Sequence, residues 1–235
     1  MLKITAIPAL QDNYIWAIQQ GQEVIIVDPA QADPVFHFLA KNKLNLTTIL
    51  ITHYHEDHIG GIARLQATYP DLTIYGSHEV AQYVNHIVQA GDHLHLLNSD
   101  VEVINSAGHT AQHISFLFAQ QYLFCGDALF SAGCGRVFTG DYQAQFNTLQ
   151  RFKNLPESTM VFPAHEYTLT NLKFAASVLP NNNDIREAQA RAETLRAQQQ
   201  PTLPSTIKQE LRINPFLQAD NLAEFITLRQ QKDQY

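Results

Sequence analysis

An apolar run, Leu46 to Ile51, passes without a break into Thr52-His53-Tyr54-His55-Glu56-Asp57-His58. The run reads as a buried strand, so the histidines stand on a loop whose base is held by a sheet. That junction constrains the fold more than any other stretch. The strand needs cover on both faces, while its C-terminal end must present four polar side chains. On extended backbone His53 and His55 point to the same side, so two imidazoles can converge on one ion. Asp57 and His58 follow where the chain turns toward a helix and aim at a different point. With 11 histidines and 12 aspartates in 235 residues, this spacing arises by chance in roughly one such chain in a thousand.

Three further donors repeat the same placement. His109, within Gly108-His109-Thr110, follows a strand expected over Val101–Ile104. Asp127 follows Tyr122–Cys125, and His165 follows Thr159–Phe162. Each lies just past the C-terminal end of an expected strand, where a loop projects side chains from a rigid base. Five imidazoles and two carboxylates suit Zn²⁺, Fe²⁺ or Mn²⁺ better than Ca²⁺ or Mg²⁺, which prefer oxygen donors.

Other strands are expected at Leu2–Ile7, Tyr14–Ile18, Val24–Val27, Leu72–Tyr75 and Ile114–Phe118. Helices begin at Asp33-Pro34 and run over Ile62–Tyr69. Strands with interspersed helices imply stacked sheets flanked by helices. Beyond Tyr167 the texture changes: Asn171–Val178, Asp184–Gln199 and Leu222–Gln231 read as helices separated by prolines. The expected division is therefore 1–166 and 167–235, an α/β part followed by an all-α part.

Charge is uneven as well. Residues 1–180 hold 8 basic and 15 acidic side chains and carry the whole net −7; residues 181–235 hold 7 of each, and every histidine lies between His37 and His165. A nucleic-acid binder would show the opposite sign. No apolar run approaches a membrane span of about 18 residues. Pro8, Asp12 and Asn13 interrupt the first twenty residues, where a signal peptide needs an unbroken apolar stretch. Two cysteines, Cys125 and Cys134, are too few for a disulfide framework. A cytoplasmic protein with unpaired thiols and no membrane partner is expected, and nothing demands more than a monomer. His93 and His95 lack a following Asp-His and read as exposed strand or loop; His113 reads as a hydrogen-bonding support for the donors.

The motifs together resemble the metallo-β-lactamase-fold hydrolases and, within them, the glyoxalase II (hydroxyacylglutathione hydrolase) family. The resemblance spans Asp12-Asn13-Tyr14, Thr52–His58, Gly108-His109-Thr110, Gly126-Asp127 and Gly133-Cys134-Gly135-Arg136. It continues through His165-Glu166-Tyr167-Thr168, Asn171–Ala175, Pro204-Ser205-Thr206, Asn214-Pro215-Phe216 and Lys232-Asp233-Gln234. It implies an αββα sandwich with a C-terminal helical domain that binds glutathione. It implies two divalent ions, zinc first, with iron or manganese also suited. His53, His55 and His109 would bind one ion; Asp57, His58 and His165 the other; Asp127 would bridge them. Arg136, Tyr167, Arg229 and Lys232 match positions that contact glutathione. Phe138 replaces a contacting tyrosine of some relatives, and Gln218 stands where bacterial relatives often carry arginine.

The implied reaction is hydrolysis of S-(2-hydroxyacyl)glutathione, S-D-lactoylglutathione in methylglyoxal detoxification, to glutathione and a 2-hydroxy acid. A metal pair lowers the pKa of a shared water from ~16 toward ~7 and supplies hydroxide as the nucleophile. Asp57 and Asp127 are the catalytic carboxylates, Asp57 passing a proton to the leaving group. No Gly-x-Ser-x-Gly elbow offers a serine route instead. A persulfide dioxygenase with one iron, and a silent metal- or glutathione-binding module, are the rival readings. A secreted lactamase lacks an export signal here, and a tRNA-processing nuclease conflicts with the net −7.

Overall fold

The structure, a computed structural model, describes residues 2–235. The chain divides into two compact units: residues up to Asn105 with Gln112–Gln120, and Ser106–Ala111 with Gln121–Tyr235. Among the described residues no helix is long and apolar enough to cross a membrane.

The first unit opens with β1 (Lys3–Ala9), β2 (Asn13–Gln20) and β3 (Glu23–Val27), antiparallel neighbours. Helix α1 (Ala32–Asn42) crosses to β4 (Asn45–Leu50), which lies parallel to β3 with Val27 opposite Leu50. The short α2 (Glu56–Ile59) and α3 (Ile62–Thr68) lead to β5 (Thr73–Gly76), parallel to β4, and then to β6 (His86–Ile87). The result is a six-stranded mixed sheet in the order β1 to β6. Ile15, Ala17, Val24, Ile26, Ile49 and Ile74 form its core with Val35, Leu39, Ile62 and Leu65 of the helices. Each of the isoleucine, valine and leucine side chains taken fully from water contributes about 1.5–3 kcal/mol. The unit also holds an antiparallel meander of β7 (His93–Leu96), β8 (Ser99–Asn105) and β9 (Ile114–Phe118). His93 and His95 point outward from β7 and are exposed.

The second unit contains β10 (Tyr122–Gly126), α4 (Tyr142–Lys153) and β11 (Met160–Pro163), then α5 (Thr168–Val178) and α6 (Asn183–Ala197). It closes with β12 (Ser205–Thr206), α7 (Ile207–Ile213), α8 (Pro215–Gln218) and α9 (Leu222–Gln234). Strand β10 runs parallel to β11 and β12 antiparallel to it, so this sheet is also mixed. Leu172, Ala175, Ile185, Ala188, Ala192 and Ile213 join α5, α6 and α7, with Ala132 inserted from a loop. The sequence reading has no counterpart for α4, α7 or α8. Helix α4 buries Gln145 and Thr148 beside Leu149 and Phe152, although Tyr142, Phe146, Leu149 and Phe152 recur at helical spacing. Its start is capped as well: Asp141 accepts from the Ala144 amide.

Candidate active site

In the first unit the donors leave the carboxyl edge of parallel strands, the usual place for a ligand crevice in such sheets. Asp28 and Thr52 follow the paired ends of β3 and β4, and the Asp28 amide donates to Leu50 O (3.0 Å). The Asp28 carboxylate accepts from the Thr52 amide (2.8 Å), from Thr52 Oγ1 (2.7 Å) and from His58 Nδ1 (3.0 Å). A buried carboxylate would cost several kcal/mol without such partners. Thr52 Oγ1, committed as a donor to Asp28, accepts from His53 Nδ1 at 3.0 Å. Both His53 and His58 are thereby held by Nδ1, which turns their Nε2 atoms the other way. His53 Nε2 lies 3.0 Å from His55 Nδ1, and His58 Nε2 lies 3.8 Å from Asp57 Oδ2. Asn13 Nδ2 reaches both the carbonyl (3.1 Å) and Oδ2 (3.2 Å) of Asp57. His113 stacks on the His53 ring with centroids 4.7 Å apart.

Asp28 is a residue that the sequence reading missed. Its carboxylate is close enough to His53 and His58 to share an ion with them, yet three hydrogen bonds already occupy it. It orients both imidazoles rather than joining them as a donor. Its only sequence signal is an acid at the end of a buried strand.

In the second unit β10 and β11 end side by side, Gly126 opposite Pro163, so Asp127 and His165 emerge from neighbouring parallel strands. The Asp127 carboxylate lies between two imidazoles: Oδ2 is 3.4 Å from His109 Nε2, and Oδ1 is 3.3 Å from His165 Nε2. His109 Nδ1 donates to the Arg136 carbonyl at 2.7 Å. His165 stacks flat on Tyr167, centroids 4.6 Å apart, and meets Phe130 edge-on. Phe138 is exposed and sets its ring edge-on to His109 at 5.3 Å.

The donor chemistry fits transition-metal ions. His53, His58 and His109 each spend Nδ1 on a supporting oxygen and direct Nε2 elsewhere, the habit of metal-bound histidine. Five imidazoles with two carboxylates match zinc, iron or manganese. Thiol chemistry is disfavoured: burial pushes Cys125 well up, and it pushes Cys134 up against the pull of Arg229. Both cysteines are free.

The proposed glutathione contacts gather around the loop after Asp127. Arg136 is exposed, with Nε donating to Asp233 Oδ1 at 3.3 Å. Lys232 Nζ donates to Thr170 O (3.4 Å) and lies over the rings of Phe174 (5.3 Å) and Tyr235 (5.2 Å). Burial, and then the Arg229 charge, lower its pKa from the ordinary lysine value. Arg229 is buried where Arg136, Tyr167 and Lys232 are not. It is 4% exposed, donates through Nη1 to Cys134 O (2.8 Å) and through Nη2 to Asp233 Oδ1 (3.1 Å), and lies over Phe216. Placed this way, it braces the loop and α9. Asp233, absent from the expected set, ties Arg136 to Arg229. Gln218 Nε2 donates to Leu211 O (3.1 Å), so it serves the turn between α7 and α8.

The sequence matches the metallo-beta-lactamase superfamily over residues 10–165 and the hydroxyacylglutathione hydrolase C-terminus over residues 166–235. It is 98% identical to the hydroxyacylglutathione hydrolase of Haemophilus ducreyi over 235 residues, which cover all of both chains. It is 64% identical to that of Actinobacillus pleuropneumoniae serotype 5b, again over the full length of both. The crystal structure of ETHE1 from Myxococcus xanthus superimposes with a TM-score of 0.73 at 24% identity, covering 98% of this chain and 90% of that one. A likeness at that identity speaks to the fold alone.

Proposed function

The chain belongs to the hydroxyacylglutathione hydrolases of the metallo-β-lactamase superfamily, and from that membership we propose how its residues divide the work. The fold is that of the superfamily, with a helical C-terminal domain, as the sequence resemblance implied. The activity is hydrolysis of the thioester in an S-(2-hydroxyacyl)glutathione, giving glutathione and a 2-hydroxy acid.

We assign His53, His55 and His109 to one divalent ion, Asp57, His58 and His165 to a second, and Asp127 to both. Zinc is our first choice, with iron and manganese as alternatives. The observation that carries this assignment is the shared posture of His53, His58 and His109, each pinned at Nδ1 by an oxygen. A bound metal pair supplies a water that ionises near neutral pH and a cationic partner for developing oxyanion charge.

The remaining steps belong to side chains. Asp57, steadied at Oδ2 by Asn13, takes the proton of the attacking water at its carboxylate. It returns that proton to the departing glutathione sulfur, which needs little acid help because a thiolate leaves easily. Arg136 and Lys232 bind the two carboxylates of the glutathione moiety. Tyr167, stacked on His165, borders the thioester. Arg229 acts through the Cys134 carbonyl and Asp233, holding Arg136 in place.

We place the functional boundary at 166/167, a division supported by the family matches that meet between 165 and 166. S-D-lactoylglutathione, and so methylglyoxal detoxification, is the substrate we favour. We take the protein to be a cytoplasmic monomer with no nucleic-acid or membrane partner; two free thiols and a net charge of −7 support that setting.

Loss of thioester absorbance, followed on a sample of known metal content, tests the reading. The protein as purified should carry two equivalents of metal. Chelation should reduce turnover by about 10³-fold, the scale of losing a principal electrostatic stabiliser, and zinc should restore it. Lys232→Ala should raise KM about tenfold with kcat little changed, as expected for one charge-assisted contact made alike in ground and transition states. One equivalent of iron with no hydrolysis would overturn the two-metal assignment.

A further inference from the structure

The loop from Asp127 to Arg136 begins with a proposed metal-binding carboxylate and ends with the carbonyl that holds His109 Nδ1. Between these ends its backbone is gripped by side chains from the C-terminal helices. Asn171 of α5 donates to Ser131 O at 3.1 Å. Glu210 of α7 accepts from the Ala132 amide at 2.8 Å. Asn214 donates to Phe130 O (3.2 Å), to Gly133 O (2.9 Å) and to Glu210 Oε2 (3.2 Å). Arg229 of α9 donates to Cys134 O at 2.8 Å. Five consecutive residues, 130 to 134, are thus each fixed by a buried polar side chain from beyond residue 166.

Two local features show that the loop needs this grip. Ala132 stands at φ +55, a left-handed conformation that costs a residue with a Cβ. Gly133 lies against Asn171, whose Nδ2 would be 2.5 Å from an added Cβ. Glu210 itself is fully buried, and burial raises its carboxyl pKa. Such a group is expensive to enclose and is kept where it specifies one arrangement of its neighbours.

We propose that Glu210 is a positioning residue for the metal centre: with Asn214 it sets the 130–136 loop so that the Arg136 carbonyl holds His109 Nδ1, which selects the tautomer that offers Nε2. The C-terminal helices then govern metal affinity as well as substrate binding. The proposal rests on the reading of His109 as a metal ligand.

Glu210→Ala and Glu210→Gln separate this role from simple cohesion of the helices. Zinc affinity is measured by competition with a chromophoric chelator. The downfield imidazole N–H proton of His109 is followed by NMR in metal-free protein. Glu210→Ala should weaken one of the two zinc sites about tenfold, the lower end of losses on removing outer support of a ligand, and should broaden the His109 N–H signal through exchange with water. Glu210→Gln, whose amide oxygen still accepts from Ala132, should restore both. A folded Glu210→Ala protein that binds both zinc ions as tightly as the parent, with the His109 signal unchanged, overturns the proposal. Should Glu210→Ala fail to fold, Asn171→Ala removes one grip on the same loop and is judged by the same two readouts. Parent protein that takes up no zinc would overturn the metal reading instead, while the His109 signal still reports on the loop.

Discussion

Asp127→Asn is expected to lower kcat/KM for the thioester by about 10³-fold or more, equivalent to roughly 4 kcal/mol of transition-state stabilisation, and to leave at most one ion bound. Asp127 sits between two imidazoles with one oxygen facing each, Oδ2 toward His109 Nε2 and Oδ1 toward His165 Nε2. Asparagine has nearly the same shape, so the strand end and the fold should survive. It has only one acceptor oxygen, however, and its NH₂ group would face a ring or an ion with the wrong sign. The full negative charge that offsets the cations also disappears. Steady-state kinetics and metal content on one preparation decide the matter. Retention of both ions with activity within tenfold of the parent would remove Asp127 from the centre.

Gly135→Ala should be nearly as damaging for a purely steric reason. An added Cβ at Gly135 would lie 2.0 Å from the Asp127 carbonyl oxygen and 2.9 Å from His109 Nδ1. Neither neighbour yields cheaply: one is backbone, and the other is a ring already bonded to Arg136 O. The loop must open between two proposed ligands. We expect a stability loss of about 3 kcal/mol, the upper end of ordinary overpacking, seen as a fall in Tm of about 6–12 °C for a chain this long. Activity should fall about 10²-fold, as expected when catalytic groups move by about an ångström. A variant with parental Tm and kcat would mean that the loop does not double back on Asp127.

Much of the proposed site was legible because its candidate donors obey a local rule. His53, His55, Asp57, His58, His109, Asp127 and His165 each follow a strand whose apolar or β-branched pattern is visible in the chain. The supporting network was not legible, because it depends on closeness that no spacing encodes. Asp28 meets Thr52 and His58 across 24 and 30 positions, and Glu210 meets Ala132 across 78. Nor does an arginine's letter report its enclosure: Arg229, three positions before Lys232, is walled in by Cys134, Asp233 and Phe216. Helix α4 was passed over although its spacing was visible; only its polar anchors were hidden. Its inward face carries Gln145, whose Nε2 donates to Ala128 O, and Thr148, whose hydroxyl donates to Ala107 O. These polar anchors sit beside an apolar stripe, Tyr142, Phe146, Leu149 and Phe152, that the sequence does display.

The grip of α5, α7, α8 and α9 on residues 130 to 134 bears on how such enzymes can be recombined. A chimera that joins this helical tail to another superfamily member would bring asparagine, glutamate and arginine side chains shaped for one particular run of carbonyls. Set against a foreign loop, those groups would be buried facing the wrong atoms. The exchangeable cassette is therefore discontinuous, the tail together with the ten residues from Asp127 to Arg136, and swaps cut at the apparent module boundary should express poorly.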